Sequence, residues 1–238
     1  MKAGRWPNIS PGFKGKNMLS RHLLGLLLGG LGCSLALASP PQEGWNTPYA
    51  EKTAALGLKG DIVRGETAFV ICQGCHRVGA LGRADGSYPR LAGQHATVLI
   101  KQLSDVRSGR RDNLKMLPFA DHQALSTQDV ADIAAYLRSL PVPASQGQGP
   151  GNDLARGKQL YERDCQVCHG QQGEGKADKF FPRVSGQHYQ YLLREGGLIR
   201  DGKRRNAHPD MIQAISTYSD DDNAAVSDYM SRLTVDGR

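Results

Sequence analysis

The stretch Phe69–Ala80, FVICQGCHRVGA, decides how this chain is read. Its core, Cys72-Gln73-Gly74-Cys75-His76, has three chemical readings: a metal site, a redox-active thiol pair, or the attachment point of a covalent haem. The pentapeptide recurs 93 residues later as Cys165-Gln166-Val167-Cys168-His169. The offset persists downstream. YPRLAGQH (Tyr88–His95) pairs with FPRVSGQH (Phe181–His188), and RSGRRDN (Arg107–Asn113) pairs with RDGKRRN (Arg200–Asn206). Upstream, RGETAF (Arg64–Phe69) echoes RGKQLY (Arg156–Tyr161). The chain is a tandem duplication, a more specific finding than either motif alone.

The rest of the sequence bounds what the repeats can be. At 238 residues with 39% apolar and 6% aromatic residues, two repeats have small cores that a bound group would help to fill. The formal charge of +7 is mostly an N-terminal effect: residues 1–38 hold five cations and no acid, which leaves +2 for the remainder. A nucleic-acid partner loses its main support. Residues 1–38 read as an export signal: a basic region ending at Arg21, an apolar run Leu23–Ala38, and Ala36-Leu37-Ala38 as a cleavage site. The apolar run is short and broken by glycines for a membrane span, so an uncleaved anchor is the alternative. Of five cysteines, Cys33 lies in the signal and the other four lie in the pentapeptides, which leaves no thiol for a structural disulfide.

The pattern predicts an all-α fold: an N-terminal extension at 39–59, a domain at 60–142, a linker at 143–152 and a domain at 153–238. In each repeat Asp61 or Asp153 caps a first helix that runs into the cysteine motif. A middle helix follows His95, with Val98, Leu99, Leu103 and Val106 on one face, and a last helix is capped by Ser126 or Thr127 and, in the second copy, by Ser219. In the second copy Gly196-Gly197 predicts a shorter or kinked middle helix. The extension carries Trp45, which is expected to pack across a domain.

Zinc would need two cysteine pairs from separate domains to meet, and would leave both histidines unexplained. A thioredoxin-like site needs a βαβ unit, and no alternating strand pattern exists here. Two covalent haem c groups account for all of it: paired thiols attach to the porphyrin vinyls and the next residue, His76 or His169, falls under the iron. The sixth ligand is Met116 in the first copy. In the second the corresponding loop offers Met211 and also His208. Thioether with imidazole raises the potential and closes the coordination shell, which favours electron transfer over catalysis at the iron. Pro89 and Pro182 are placed to accept the histidine N–H. Arg90 and Arg183 are candidates for haem propionates, His95 and His188 for caps or surface positions, and Arg110-Arg111 and Lys203-Arg204-Arg205 for a solvated face or docking edge.

Two pentapeptides continuing into YPRLAGQH…LIKQL…VRSGRR…M and FPRVSGQH…YLL…IRDGKRRN…M resemble the di-haem cytochrome c4 family over residues 60–238. The resemblance implies two cytochrome c-type domains, each wrapped around a covalent haem, with thioethers at Cys72, Cys75, Cys165 and Cys168 and axial pairs His76–Met116 and His169–Met211. It implies domains related by a pseudo-twofold axis with the haem propionates near the domain interface, and a periplasmic electron carrier with redox proteins such as a terminal oxidase as partners; a monomer with peripheral membrane association is expected. A di-haem subunit of an oxidoreductase, such as a flavocytochrome sulfide dehydrogenase, is the alternative function. A haem enzyme such as a thiosulfate dehydrogenase or peroxidase is a third.

Overall fold

Capping residues place the helices. The computed structural model describes residues 44–142 and 147–234, and among these the regular elements are helical, apart from one isolated bridge between Lys176 and Phe181. The signal expected at 1–38, the start of the extension and residues 143–146 of the linker lie outside the described residues. The extension and first repeat form α1 (Ala50–Gly57), α2 (Ile62–Phe69), α3 (Gln73–His76), α4 (Ala96–Arg107), α5 (Leu117–Ala120) and α6 (Thr127–Ser139). The second repeat forms α7 (Leu154–Leu160), α8 (Gln166–His169), α9 (Tyr189–Arg200), α10 (Pro209–Ile215) and α11 (Asp220–Arg232). Asp61 accepts the Arg64 N–H to start α2, and Asp153 accepts the Arg156 N–H to start α7. Ser126 with Asp129 and Ser219 with Asp222 complete capping boxes at α6 and α11.

Two glycines at equivalent positions set the helix crossings. Gly65 on α2 lies against α6, where a Cβ would stand 2.0 Å from the Asp132 carbonyl oxygen. Gly157 on α7 lies against α11, where a Cβ would stand 2.2 Å from the Ala225 carbonyl oxygen. The glycine of each RG dipeptide therefore lets two backbones touch. One turn further along, an aromatic pair seals each crossing: Phe69 with Tyr136, centroids 5.8 Å apart, and Tyr161 with Tyr229, 5.6 Å apart. Around them sit two matching cores, one with Ala80, Leu125, Ile133 and Leu137, the other with Leu160, Val184, Ile215 and Val226.

The extension belongs to both halves. Ala55 of α1 packs with Ile100, Val130 and Ala134, and Glu51 reaches Arg107 at 2.8 Å. Ahead of the helix, Trp45 lies 4.4 Å from the His208 ring and 6.2 Å from Phe181, with the Lys101 ammonium 5.1 Å from its centroid. Trp45 thus packs on the second repeat and on a cation of the first, as expected of it.

The middle helix of the second repeat corrects the sequence expectation. α9 is an unbroken twelve-residue helix, equal in length to α4. Gly196 does not break it because the position serves packing: a Cβ there would lie 2.3 Å from Asn223 Oδ1, and Asn223 donates to the Leu193 carbonyl at 2.9 Å. Tertiary contact with α11 outweighs a propensity cost of about 1 kcal/mol per glycine.

Gly65→Ala and Gly157→Ala are expected to lower the unfolding free energy by about 2 kcal/mol each. Guanidinium unfolding of the haem-loaded protein measures this, and an unchanged or raised midpoint would show that the crossings are not glycine-dependent.

Candidate functional site

Each first helix feeds the pentapeptide through a distorted turn, Val70–Cys72 being tighter than α-helix and Tyr161–Cys165 wider. α3 and α8 then bury His76 and His169. His76 Nδ1 lies 3.3 Å from the Pro89 carbonyl and His169 Nδ1 lies 2.9 Å from that of Pro182, the placement expected of both prolines. A carbonyl only accepts, so Nδ1 carries the proton in both rings and Nε2 keeps its lone pair for a metal. Burial pushes both imidazoles below their ordinary pKa, so both are neutral. The return of the chain past each histidine needs Gly82 and Gly175, at φ +69° and +74°: a Cβ would meet the Pro89 carbonyl carbon at 2.4 Å or the Phe181 carbonyl oxygen at 2.5 Å.

A cavity of ≈ 430 Å³ opens beside His76, lined by Cys72, Cys75, Leu99, Leu103, Met116 and Leu137 among others. Met116 stands immediately ahead of α5, as expected, and Asn113 Nδ2 approaches its sulfur at 3.9 Å. Met211 departs from expectation. It lies inside α10 rather than ahead of it, because Pro209, with its fixed φ, starts the helix at the first position after His208. Met211 packs against the core that contains Cys165. His208 caps α10, its Nδ1 accepting the Asp210 N–H at 3.0 Å while its ring lies on Trp45.

The donors suit one group. In the first repeat, two thiols, a neutral imidazole with a free lone pair and a thioether around a largely apolar cavity of ligand size fit a covalent haem. They do not suit thiol exchange, which needs a thiolate near neutral pH: burial pushes the Cys72 thiol up to about 11 and the Cys165 thiol up to about 12. Among the described residues no three His, Cys, Asp or Glu side chains converge as a metal cluster, so the two cysteine pairs do not meet as a zinc site would require.

Between the repeats lies a feature that sequence reasoning missed. The Gln94 side chain accepts the Arg183 N–H at 2.9 Å and donates to the Arg183 carbonyl at 3.0 Å. Its repeat partner Gln187 treats Arg90 the same way, at 2.8 and 2.9 Å. The next residues follow suit, His95 Nε2 reaching the Glu174 carbonyl and His188 Nε2 the Leu81 carbonyl, both at 2.7 Å. His95 and His188 are therefore neither caps nor surface residues. Each stands at a helix start without a side-chain cap and crosses to the other repeat instead. The only sequence signal was the repetition of GQH itself.

The family model "Cytochrome c" matches residues 62–141 and 154–234. The chain is 35% identical to cytochrome c4 of Pseudomonas aeruginosa over 192 residues, 76% of this chain and 92% of that one. The chain belongs to the cytochrome c4 family. It is also 37% identical to a thiosulfate dehydrogenase electron acceptor of Stutzerimonas stutzeri, covering 70% of this chain and 80% of that one. The crystal structure of reduced recombinant cytochrome c4 from Pseudomonas stutzeri superposes with a TM-score of 0.67 at 30% identity, covering 74% of this chain and all of that one. As a member of the cytochrome c4 family, the chain carries two covalent haem c groups at its Cys-x-x-Cys-His pentapeptides and works as an electron carrier.

In this cytochrome c4-type pair the basic runs divide: Arg111 and Arg204 turn inward, while Lys203 and Arg205 stay exposed on a solvated face. Arg111 and Arg204 are largely buried between the repeats: Arg111 donates to Gln102 at 3.0 Å and Arg204 to Gln102 at 3.1 Å and Glu195 at 2.8 Å. Arg205 pairs with Asp112 across the interface at 2.7 Å, and Arg110 lies over the Tyr49 ring at 4.0 Å. Arg90 and Arg183 are buried at 4% and 6% exposure beside the glutamine clamps. A larger buried network, with Lys101 and Asp105 at 2.5 Å and Asn206 donating to Asp105 at 2.8 Å, completes the junction.

Gln187→Leu strands the Arg90 N–H and carbonyl away from water. It is expected to lower stability by about 2 kcal/mol, or to split thermal unfolding into two calorimetric transitions. A single unchanged transition would show that the clamp does not join the repeats.

Proposed function

We propose that Cys72 and Cys75 hold the first haem through thioethers with His76 and Met116 as axial ligands, and that Cys165 and Cys168 hold the second with His169 and Met211. The observation that carries this reading is one donor arrangement made twice: a buried histidine locked to a proline carbonyl, two preceding cysteines, and a methionine on the segment after the middle helix. The cap and ring contacts of His208 favour Met211 as the second sixth ligand. When bound, the haem supplies one-electron exchange at iron. The chain's part is to fix the imidazoles, supply soft thioether donors that favour the ferrous state, and fill the space around the group with apolar side chains. With both axial positions taken, the site suits electron transfer without bond chemistry at the iron.

The carrier works in the periplasm, exported by the Leu23–Ala38 signal, as a monomer with peripheral membrane association. It takes electrons from a respiratory donor and passes them to a terminal oxidase or another acceptor. The similarity to a thiosulfate dehydrogenase electron acceptor favours a second reading, in which a sulfur-oxidising enzyme is the donor; a flavin-containing sulfide dehydrogenase belongs to the same class.

Met116→Ala and Met211→Ala are each expected to remove about half of the near-infrared Met-to-iron absorption of the oxidised protein and to lower one of two potentials. His208→Ala leaves the band whole. Loss of the band in His208→Ala, or an undiminished band in either methionine variant, would sink the assignment. Reduction by thiosulfate or sulfide only when the corresponding dehydrogenase is added would identify a sulfur-oxidising donor.

A further inference from the structure

A ring of polar side chains at the junction between the repeats is nearly symmetric, and it breaks at one acceptor. Arg111 and Arg204 are repeat equivalents, as are Gln102 and Glu195. Each arginine donates to both acceptors: Arg111 reaches Gln102 at 3.0 Å and Glu195 at 3.4 Å, and Arg204 reaches them at 3.1 and 2.8 Å. The four side chains form a closed ring in which one acceptor is a neutral amide and the other a carboxylate. Arg194 adds a third cation to Glu195 at 3.0 Å, and Tyr191 accepts from Arg111 at 3.3 Å. All of these side chains line the cavity beside Cys72, Cys75 and His76, although Tyr191, Arg194, Glu195 and Arg204 come from the second repeat.

We propose that Glu195 is a potential-setting residue: its carboxylate, supplied by the second repeat, holds the reduction potential of the first-repeat haem below the value that a symmetric amide pair would give. The step concerned adds one electron to one iron, ferric to ferrous, with no proton and no leaving group. It makes the cavity one charge more negative. A fixed anion at the wall of that cavity opposes the change, and it also occupies the two guanidiniums that would favour it. The Glu195 side chain is 10% exposed, so bulk salt screens its field poorly. Burial works against its ionised form, but Arg204, Arg111 and Arg194 outweigh burial and hold the carboxyl below the usual glutamate range, so the charge is present at neutral pH. An amide at position 195 could still accept from Arg111 and Arg204 through its one oxygen, as Gln102 does, and would give up the Arg194 contact made by the other carboxylate oxygen.

The inference rests on the first haem occupying this cavity. Spectroelectrochemical titration of the two-haem protein at pH 7 tests it, with the first couple followed through the ferrous Met116 methyl resonance. Glu195→Gln is expected to raise the first-repeat couple by about tenfold in its reduction equilibrium, 59 mV for one electron. The shift should persist at high salt and leave the Met-to-iron band unchanged. Gln102→Glu, which adds the missing acid, is expected to lower the same couple. An unmoved or lowered first couple in Glu195→Gln overturns the proposal, as does a rise that comes with loss of the Met-to-iron band. If Glu195→Gln does not fold, an unmoved or raised couple in Gln102→Glu overturns it. Haem counting separates the failure of the underlying reading: Cys72→Ala with Cys75→Ala must bind one haem instead of two, or the cavity is not the first haem site.

Discussion

The Pro89–Arg90 peptide is held from two sides, and its counterpart Pro182–Arg183 is held likewise. The proline carbonyl takes the N–H of the buried histidine in its own repeat, while the following arginine's N–H and carbonyl are both taken by a glutamine of the other repeat. A buried peptide group left unmet costs about 1–3 kcal/mol, so neither repeat can satisfy this segment alone. The orientation of each imidazole is therefore fixed partly by the opposite half. Two haem sites that look independent in the sequence share a mechanical frame.

Around that frame the repeats keep what builds a haem pocket and vary what meets across the junction. Gly65 and Gly157, the aromatic pairs that seal the crossings, and the positive-φ glycines beside each proline are matched position for position. Differences gather at the interface. Lys101 and Asp105 of α4 correspond to Arg194 and Leu198 of α9, and Gln102 corresponds to Glu195. Asp105 keeps its place because Lys101, Asn206 and Tyr49 surround it with donors. The extension adds a further asymmetry, since Trp45 covers His208 and Phe181 beside the second site while α1 supports only the first repeat. Identical folds can thus present their cofactors to different surroundings.

The covalent cofactor and its two attachment motifs are legible in the sequence. Pentapeptide spacing is covalent chemistry, and the proline acceptors follow from a short loop whose length is the same in both copies. The helix caps were legible because Asp61, Asp153, Ser126 and Ser219 act on N–H groups within three residues. Local spacing misleads where a residue's partner lies far along the chain. Gly196-Gly197 reads as a helix break only if Asn223 is ignored, and His95 looks like a cap until Glu174 is seen across the junction. Arg111 and Arg204 have the spacing of surface cations, and only a second set of polar groups opposite them makes burial tolerable.

What the sequence determined by itself was the duplication, the all-α character and the covalent cofactor at its two pentapeptides, all of which depend on local spacing and repetition. Tertiary structure decided how the copies face one another: that GQH clamps the opposite backbone, that Arg111 and Arg204 turn inward, and that a carboxylate of the second repeat borders the cavity of the first. Such contacts join residues about 80–110 positions apart, and no local pattern encodes them. Their energies come from burying polar groups together, which only the folded junction makes possible.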